Sequence, residues 1–319
     1  MKLSACASFA PLVRGLALST VLVASSLHAV AADSVKVGLL STLSGPGSGL
    51  GIDIRDGFQL AVKHAGGKLG GLPAEVIVVD DQQNPEVARQ SAERLLKRDK
   101  VDFMTGIVFS NLLLAVAPPV LQANTFYVSA NAGPSQLAGA QCHPYYFNVA
   151  YQNDNQHEAM GKTVTDKGFK RVALLAPNYP AGKDALAGFK RFYKGEVVSE
   201  AFTPLNQLDY GSEISKIRAA KPDAVYIFLP GGLGINFIKQ FVGAGLSKEM
   251  TLFGPGFSGD EDVIRAVGEP MLGMFNTSQW AHDLDNAANK RFVADFQKEF
   301  AVSPTCMQRW KERLGTPVS

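Results

Sequence analysis

The feature that most constrains this chain is an alternation of short β-branched runs with amphipathic stretches, which runs its course twice. Strands are expected over 35–41, 74–80, 101–106 and 125–130, with helices over 50–65, 85–98 and 111–122 between them. The alternation resumes with helix 152–167, strand 172–176, helix 184–193, strand 197–202, helix 212–220, strand 224–229, helix 235–244 and strand 250–253. A last helix is expected over 284–300. Alternation of this kind builds parallel sheets with helices on both faces. Val76-Ile77-Val78-Val79 has no polar position, as a strand covered on both sides requires. Pro85 suits the first position of its helix. The expected fold class is therefore α/β, with two doubly wound parallel-sheet lobes joined by a hinge near 145–150. Lobe 1 is expected over 33–149, lobe 2 over 150–280, and a return to lobe 1 over 281–319.

The start of the chain is set apart. Lys2 and Arg14 are followed by an apolar stretch from Leu16 to Leu27 and by Ala29-Val30-Ala31-Ala32. Residues 1–32 read as a secretory signal cleaved after Ala31 or Ala32. The stretch is shorter than the ~20 apolar residues of a membrane span. Leu3-Ser4-Ala5-Cys6 imitates a lipoprotein cleavage box but precedes the apolar stretch instead of following it. Lys and Arg exceed Asp and Glu by two over the whole chain, and Lys2 and Arg14 account for that excess. The remainder is neutral, which argues against nucleic acid or an anionic surface as partner. Cys142 and Cys306 remain after the signal and read as independent thiols, although an oxidising compartment permits their pairing.

Parallel sheets bind ligands beyond the carboxyl ends of their strands. Two sheets facing each other there enclose a cleft. The loops at those ends, 41–51, 106–111, 129–135, 177–182 and 230–234, are rich in Gly, Ser, Asn and Pro. Tight turns alone would explain any one of them, but five on one expected face point to a site. Three lead into helix starts, where unpaired N–H groups and the helix dipole attract anions. A carboxylate ligand fits such a face.

Enzymatic readings fare worse. Gly47, Gly49 and Gly51 follow the first strand but do not make the dinucleotide spacing. Asp80 lies well beyond the ~20 residues at which a ribose-binding acid is expected. No GxSxG elbow occurs, and Gly256-Phe257-Ser258-Gly259 lacks its spacing. The histidines after the signal, His64, His143, His157 and His282, form no metal-ligand pair and read as surface or capping residues. Asp80-Asp81 reads as a cap on the turn that follows its strand. No cofactor, metal or catalytic residue is expected.

Several segments then resemble one family. Leu43-Ser44-Gly45-Pro46, the run from Gly51 to Ala61, Gly106–Asn111, Ser129–Ser135, Phe147–Asp154 and Pro222–Tyr226 are similar, in order and spacing, to the branched-chain amino-acid-binding proteins. These are type I periplasmic binding proteins of ABC importers. The wording of Ser129–Ser135 and Phe147–Asp154 is most similar to the subgroup that takes aromatic acids. The resemblance runs from about Val35 to Phe300 and implies a monomeric periplasmic protein whose two lobes close on a small organic acid. Its implied partners are the permease and ATPase subunits of an importer. A sensory receptor of the same fold is the alternative. Ser110, beside Phe109, falls on the family's carboxylate-binding serine. Asn131, Ala132 and Gly133 fall on the next loop, where backbone N–H groups matter. Leu50 takes the place of an aromatic residue that packs on the ligand, and Tyr151 follows the crossover between lobes.

Two departures stand out. Amino-acid-binding members place an acid near the end of the strand at 224–229, to hold the ligand ammonium. Leu233, beside Gly232, aligns there. A tyrosine on the ammonium side aligns with Ala181, and Tyr179 lies two residues earlier. An unpaired buried ammonium is costly, so the resemblance implies a carboxylate ligand without an α-amino group, amino acids being the alternative. The family also continues past the helix ending near 300, whereas 303–319 is polar, basic and without strand pattern. The end is therefore expected to be atypical and truncated, with an apolar sheet edge left open.

Overall fold

A computed structural model describes residues 33–259 and 261–300, all within one compact body. The expected signal, Cys306 and the atypical end lie outside the described residues. The first half contains β1 (Val35–Ser41), α1 (Ser48–His64), β2 (Lys68–Leu69), β3 (Leu72–Asp80), α2 (Pro85–Arg94), β4 (Phe103–Thr105), α3 (Ser110–Gln122), β5 (Phe126–Ser129), α4 (Ser135–Ala138) and β6 (Tyr146–Asn148). The second contains α5 (Asp154–Asp166), β7 (Arg171–Pro177), α6 (Pro180–Phe192), β8 (Glu196–Thr203), α7 (Gly211–Ala220), β9 (Ala224–Ile227), α8 (Gly232–Gly243), β10 (Thr251–Pro255), α9 (Glu261–Val267), β11 (Phe275–Thr277) and α10 (Ala287–Phe300).

Two sheets result, ordered β2-β3-β1-β4-β5-β6 and β11-β10-β9-β7-β8. Every pairing is parallel except the short β2–β3 ladder. In the first sheet the chain runs from β1 to β3 on one side and then crosses to β4 on the other. In the second it runs from β7 to β8 and then crosses to β9. Each sheet thus has a switch point, between β1 and β4 and between β7 and β9, where the loops diverge and leave a crevice.

Sequence chemistry explains the local detail. Asn84 caps α2, its Oδ1 accepting from the N–H groups of Glu86 and Val87, with Pro85 at the first position. Asp80 accepts from the N–H groups of Leu43 and Gln82, and Asp81 from the Thr42 hydroxyl and the Gln83 N–H. The acids thus hold the turns at the ends of β1 and β3. Burial raises the Asp81 pKa. The expectation for Val76–Val79 needs correction: these residues are half-buried, because only two-residue β2 lies beyond β3. The strands covered along all or nearly all of their length are the central β9 and β7 of the second sheet.

The sequence pattern does not reveal β2, α4, β6, α9 or β11, each too short to show a period. Helices α6 and α8 begin a turn earlier than expected. Their early glycines lie under strand ends: a Cβ on Gly182 would come 1.9 Å from Pro177 O, and one on Gly234 would come 2.4 Å from Leu229 O. The same holds in the first sheet for Gly51, where a Cβ would come 1.9 Å from Thr42 O. These glycines permit close helix–strand approach, so they read falsely as loop residues. The chain returns after β11, and α10 lies on α1 through Lys63–Glu299 and His64–Asp295 ion pairs. Edge strand β6 carries exposed Phe147, which packs on exposed Phe126.

Candidate ligand-binding site

Between the two switch points lies a cleft with about 450 Å³ of empty space, mouth included. The space is a narrow slot. Leu50, Val108, Phe109, Ser110, Asn131 and Ala132 line it from the first sheet. Tyr179, Ala181, Phe228, Pro230 and Phe257 line it from the second, with Tyr151, Asn153 and His157 at the crossover and on α5.

The first-sheet wall is polar by construction. Phe109 occupies the N-cap of α3 and offers no side-chain acceptor. The first-turn N–H groups of Ser110 and Asn111 therefore lack a helical partner and point out of the helix start. Ser110 Oγ accepts from Asn153 Nδ2 at 3.0 Å, which leaves its own proton to donate. Asn131 is already committed: its Nδ2 donates to Val108 O, and its Oδ1 accepts from the Tyr151 hydroxyl at 2.8 Å. It shapes the wall by holding Tyr151, whose pKa burial raises.

Asn153 ties the halves together. Beyond Ser110 it donates to Asp184 Oδ2 on α6 at 2.9 Å, and its Oδ1 accepts from the Gly133 N–H at 3.1 Å. Burial raises the Asp184 pKa against the hydrogen bonds from Asn153 and Ser135.

The second wall is aromatic. Tyr179 stacks on Phe228, centroids 6.0 Å apart, and meets the edge of Phe109 across the cleft at 6.2 Å. Phe257 stands edge-on to Phe228 and faces Tyr151. Burial, with smaller contributions from Tyr151 and Asp184, drives the Tyr179 pKa far up, so it stays a neutral phenol. His157 is 2% exposed. Burial lowers its pKa to about 3, against the opposing charge of Asp154. Its reading as a surface or capping residue is thus corrected. None of the described residues lining the cleft carries a charge at neutral pH.

Of the ten residues singled out from the sequence, the cleft gathers Leu50, Phe109, Ser110, Asn131, Ala132, Tyr151 and Tyr179. It does not gather the other three. The Gly133 N–H is taken by Asn153, and a Cβ there would come 2.1 Å from Tyr151 O, so this glycine serves the crossover. Gly232 lies at the rim, where a Cβ would come 3.3 Å from Pro46 O of the opposite half. Leu233 is buried in the core behind α8. The sequence reading missed Val108, Asn153, His157, Phe228, Pro230 and Phe257 as site residues. Phe228 and Pro230 were within reach, since they end or follow strand 224–229. Phe257 was weighed only as part of a failed nucleophile elbow. Asn153 and His157 share one face of a helix start, a spacing that becomes meaningful only once α5 is known to run past the cleft.

The family described as Periplasmic binding protein matches residues 34–309. This chain belongs to that family. Leu/Ile/Val-binding protein homolog 6 of Brucella melitensis is 31% identical over 287 residues, 88% of this chain and 73% of its own length. Among solved structures, a solute-binding protein of an ABC transporter from R. palustris, in complex with benzoate, aligns with a TM-score of 0.81 at 32% identity. It covers 85% of this chain and 75% of its own. Another, from Rhodopseudomonas palustris BisB5 in complex with 3,4-dihydroxy benzoic acid, aligns at 0.80 and 33%, over 84% and 75%. The family and these neighbours are transport binding proteins, and the type I two-lobed fold is theirs.

Proposed function

We propose that this protein captures an aromatic carboxylic acid in the cleft and hands it, unaltered, to the permease and ATPase subunits of an ABC importer. One observation carries the ligand class: a wall of free N–H groups and the Ser110 hydroxyl faces a wall of rings, with no acidic side chain among the described lining residues to receive an ammonium. A carboxylate finds hydrogen-bond donors at the start of α3. A flat ring finds Tyr179, Phe228 and Phe257. An amino acid would bury its ammonium against neutral groups, at substantial cost. The ligands in the R. palustris complexes support this reading. In the working protein, lobe 1 (33–149 with 281–319) and lobe 2 (150–280) close about the crossover as a monomer, favoured by the ligand's greater affinity for the closed form. Removal of 1–32 on export places it in the periplasm.

Calorimetry on the exported protein tests this reading. Benzoate- or cinnamate-type acids should bind with clear saturation and leucine should not. Saturable leucine binding without any response to the aromatic acids would overturn it.

A further inference from the structure

His157 combines deep burial, a titratable ring and a position away from the start of α3. It lies on α5, four residues after Asn153, and Asn153 is in helical conformation. Residues so spaced lie one above the other, ~6 Å apart along the axis. Asn153 is bonded to Ser110, so His157 stands one turn from the carboxylate-binding end of the cleft. A ring substituent on the side of a benzoic acid away from its carboxyl group would face this part of the cleft.

The tautomer of His157 follows from its partner. Its Nδ1 is hydrogen-bonded to the hydroxyl of Tyr226, a fully buried residue of β9 that lies behind the cleft. Among the described residues, Nδ1 is the one partner recorded for that hydroxyl. A buried phenol with a single partner donates to it, because an unused donor is the costlier outcome. Nδ1 is then the acceptor, and the ring proton resides on Nε2. The rings of Tyr226 and Phe228 stand edge-on to the imidazole, at 6.0 and 5.1 Å, and fix its plane. The imidazole lines the cleft, and no hydrogen bond is recorded for Nε2 among the described residues. A single neutral donor beside the Phe228 ring is a poor host for a carboxylate, which needs several donors. It suits a neutral oxygen.

We propose that His157 is the specificity-determining residue of the cleft, its Nε2–H reading a ring hydroxyl opposite the carboxylate, and that Tyr226 positions it. The preferred ligands are then para-hydroxylated aromatic acids. This rests on the aromatic-acid reading above.

Calorimetry of the exported protein with benzoate, 3-hydroxybenzoate, 4-hydroxybenzoate and leucine tests the assignment. The wild type should bind 4-hydroxybenzoate about tenfold tighter than benzoate, the worth of one buried hydrogen bond. His157→Phe combined with Tyr226→Phe leaves no orphan hydroxyl, and should abolish that preference, bringing the ratio of the two affinities to about one. Should the double variant not fold, His157→Gln retains an amide donor and should keep part of the preference. Tyr226→Phe alone should reduce it, with the imidazole nitrogen shifts in NMR showing loss of the single Nε2–H tautomer. A merely structural role would lower the melting temperature and leave the affinity ratio intact. Equal affinity of the wild type for the two acids, or a preference that survives the double variant, overturns the role of His157 and leaves the aromatic-acid reading standing. Binding of leucine alone overturns both.

Discussion

Across the cleft, one wall is built of helix-start N–H groups, a serine and a tied-down asparagine, and the other of Tyr179, Phe228 and Phe257. Both arise from one topological device, loops diverging at the switch point of a parallel sheet. Their difference lies in the residues at the strand ends. The chain after β4 places Phe109 ahead of α3, so no side chain blocks the helix start. The chain after β9 places Phe228 and Pro230, which fill space and donate nothing. Direction thus comes from one half and apolar area from the other. A ligand needs both, which is the physical condition for coupling binding to closure.

Truncating the aromatic wall should have the largest effect. Phe228→Ala removes a ring that Tyr179, His157 and Phe257 all pack against, and should cost about 3–5 kcal/mol of folding stability, read from urea unfolding. Leu50→Ala on the opposite wall should cost distinctly less, since Leu50 is only half-buried. On the polar wall, Ser110→Ala should cost about 1 kcal/mol of stability, since Asn153 loses a buried acceptor, and weaken carboxylate binding by about 1–3 kcal/mol in calorimetry. An unchanged affinity would remove Ser110 from the site.

Acid should act on the crossover. Below about pH 6.5 the unfolded chain protonates His157, whereas the folded chain holds it neutral down to about pH 3. Stability should therefore fall as pH drops through that window, at up to ~1.4 kcal/mol per unit from this side chain. The slope should flatten in His157→Gln, measured by unfolding at several pH values. The smallest effect belongs to the surface tie between α10 and α1. Lys63→Met should lose about 0.2–1 kcal/mol, less at high salt, because the pair is exposed.

Much of the architecture was legible from residues alone. Periodicity located most of the long strands and helices, and the strand-end rule located the five loops that carry the first-sheet wall and part of the second. Seven of the singled-out residues meet in the cleft because loops after parallel strands share one edge whatever the strand order. The failures have one cause. Gly133, Gly182 and Gly232 look alike in sequence, yet one receives the crossover, one lies under a strand end and one forms the rim. A glycine records that something comes close, and only the fold says what.

His157 is the sharpest instance. Its neighbours in sequence, Gln156 and Glu158, carry no hint of a binding role, and an isolated histidine on a polar helix reads as a surface residue. The chain alone determined the class of fold and the edge where ligands gather, because side-chain period and turn chemistry are local properties. Which side chains turn inward there was decided by tertiary structure. α5 starts at the crossover and packs on the second half, which brings Asn153 to Ser110 and His157 to Tyr226 across separations that no local pattern encodes.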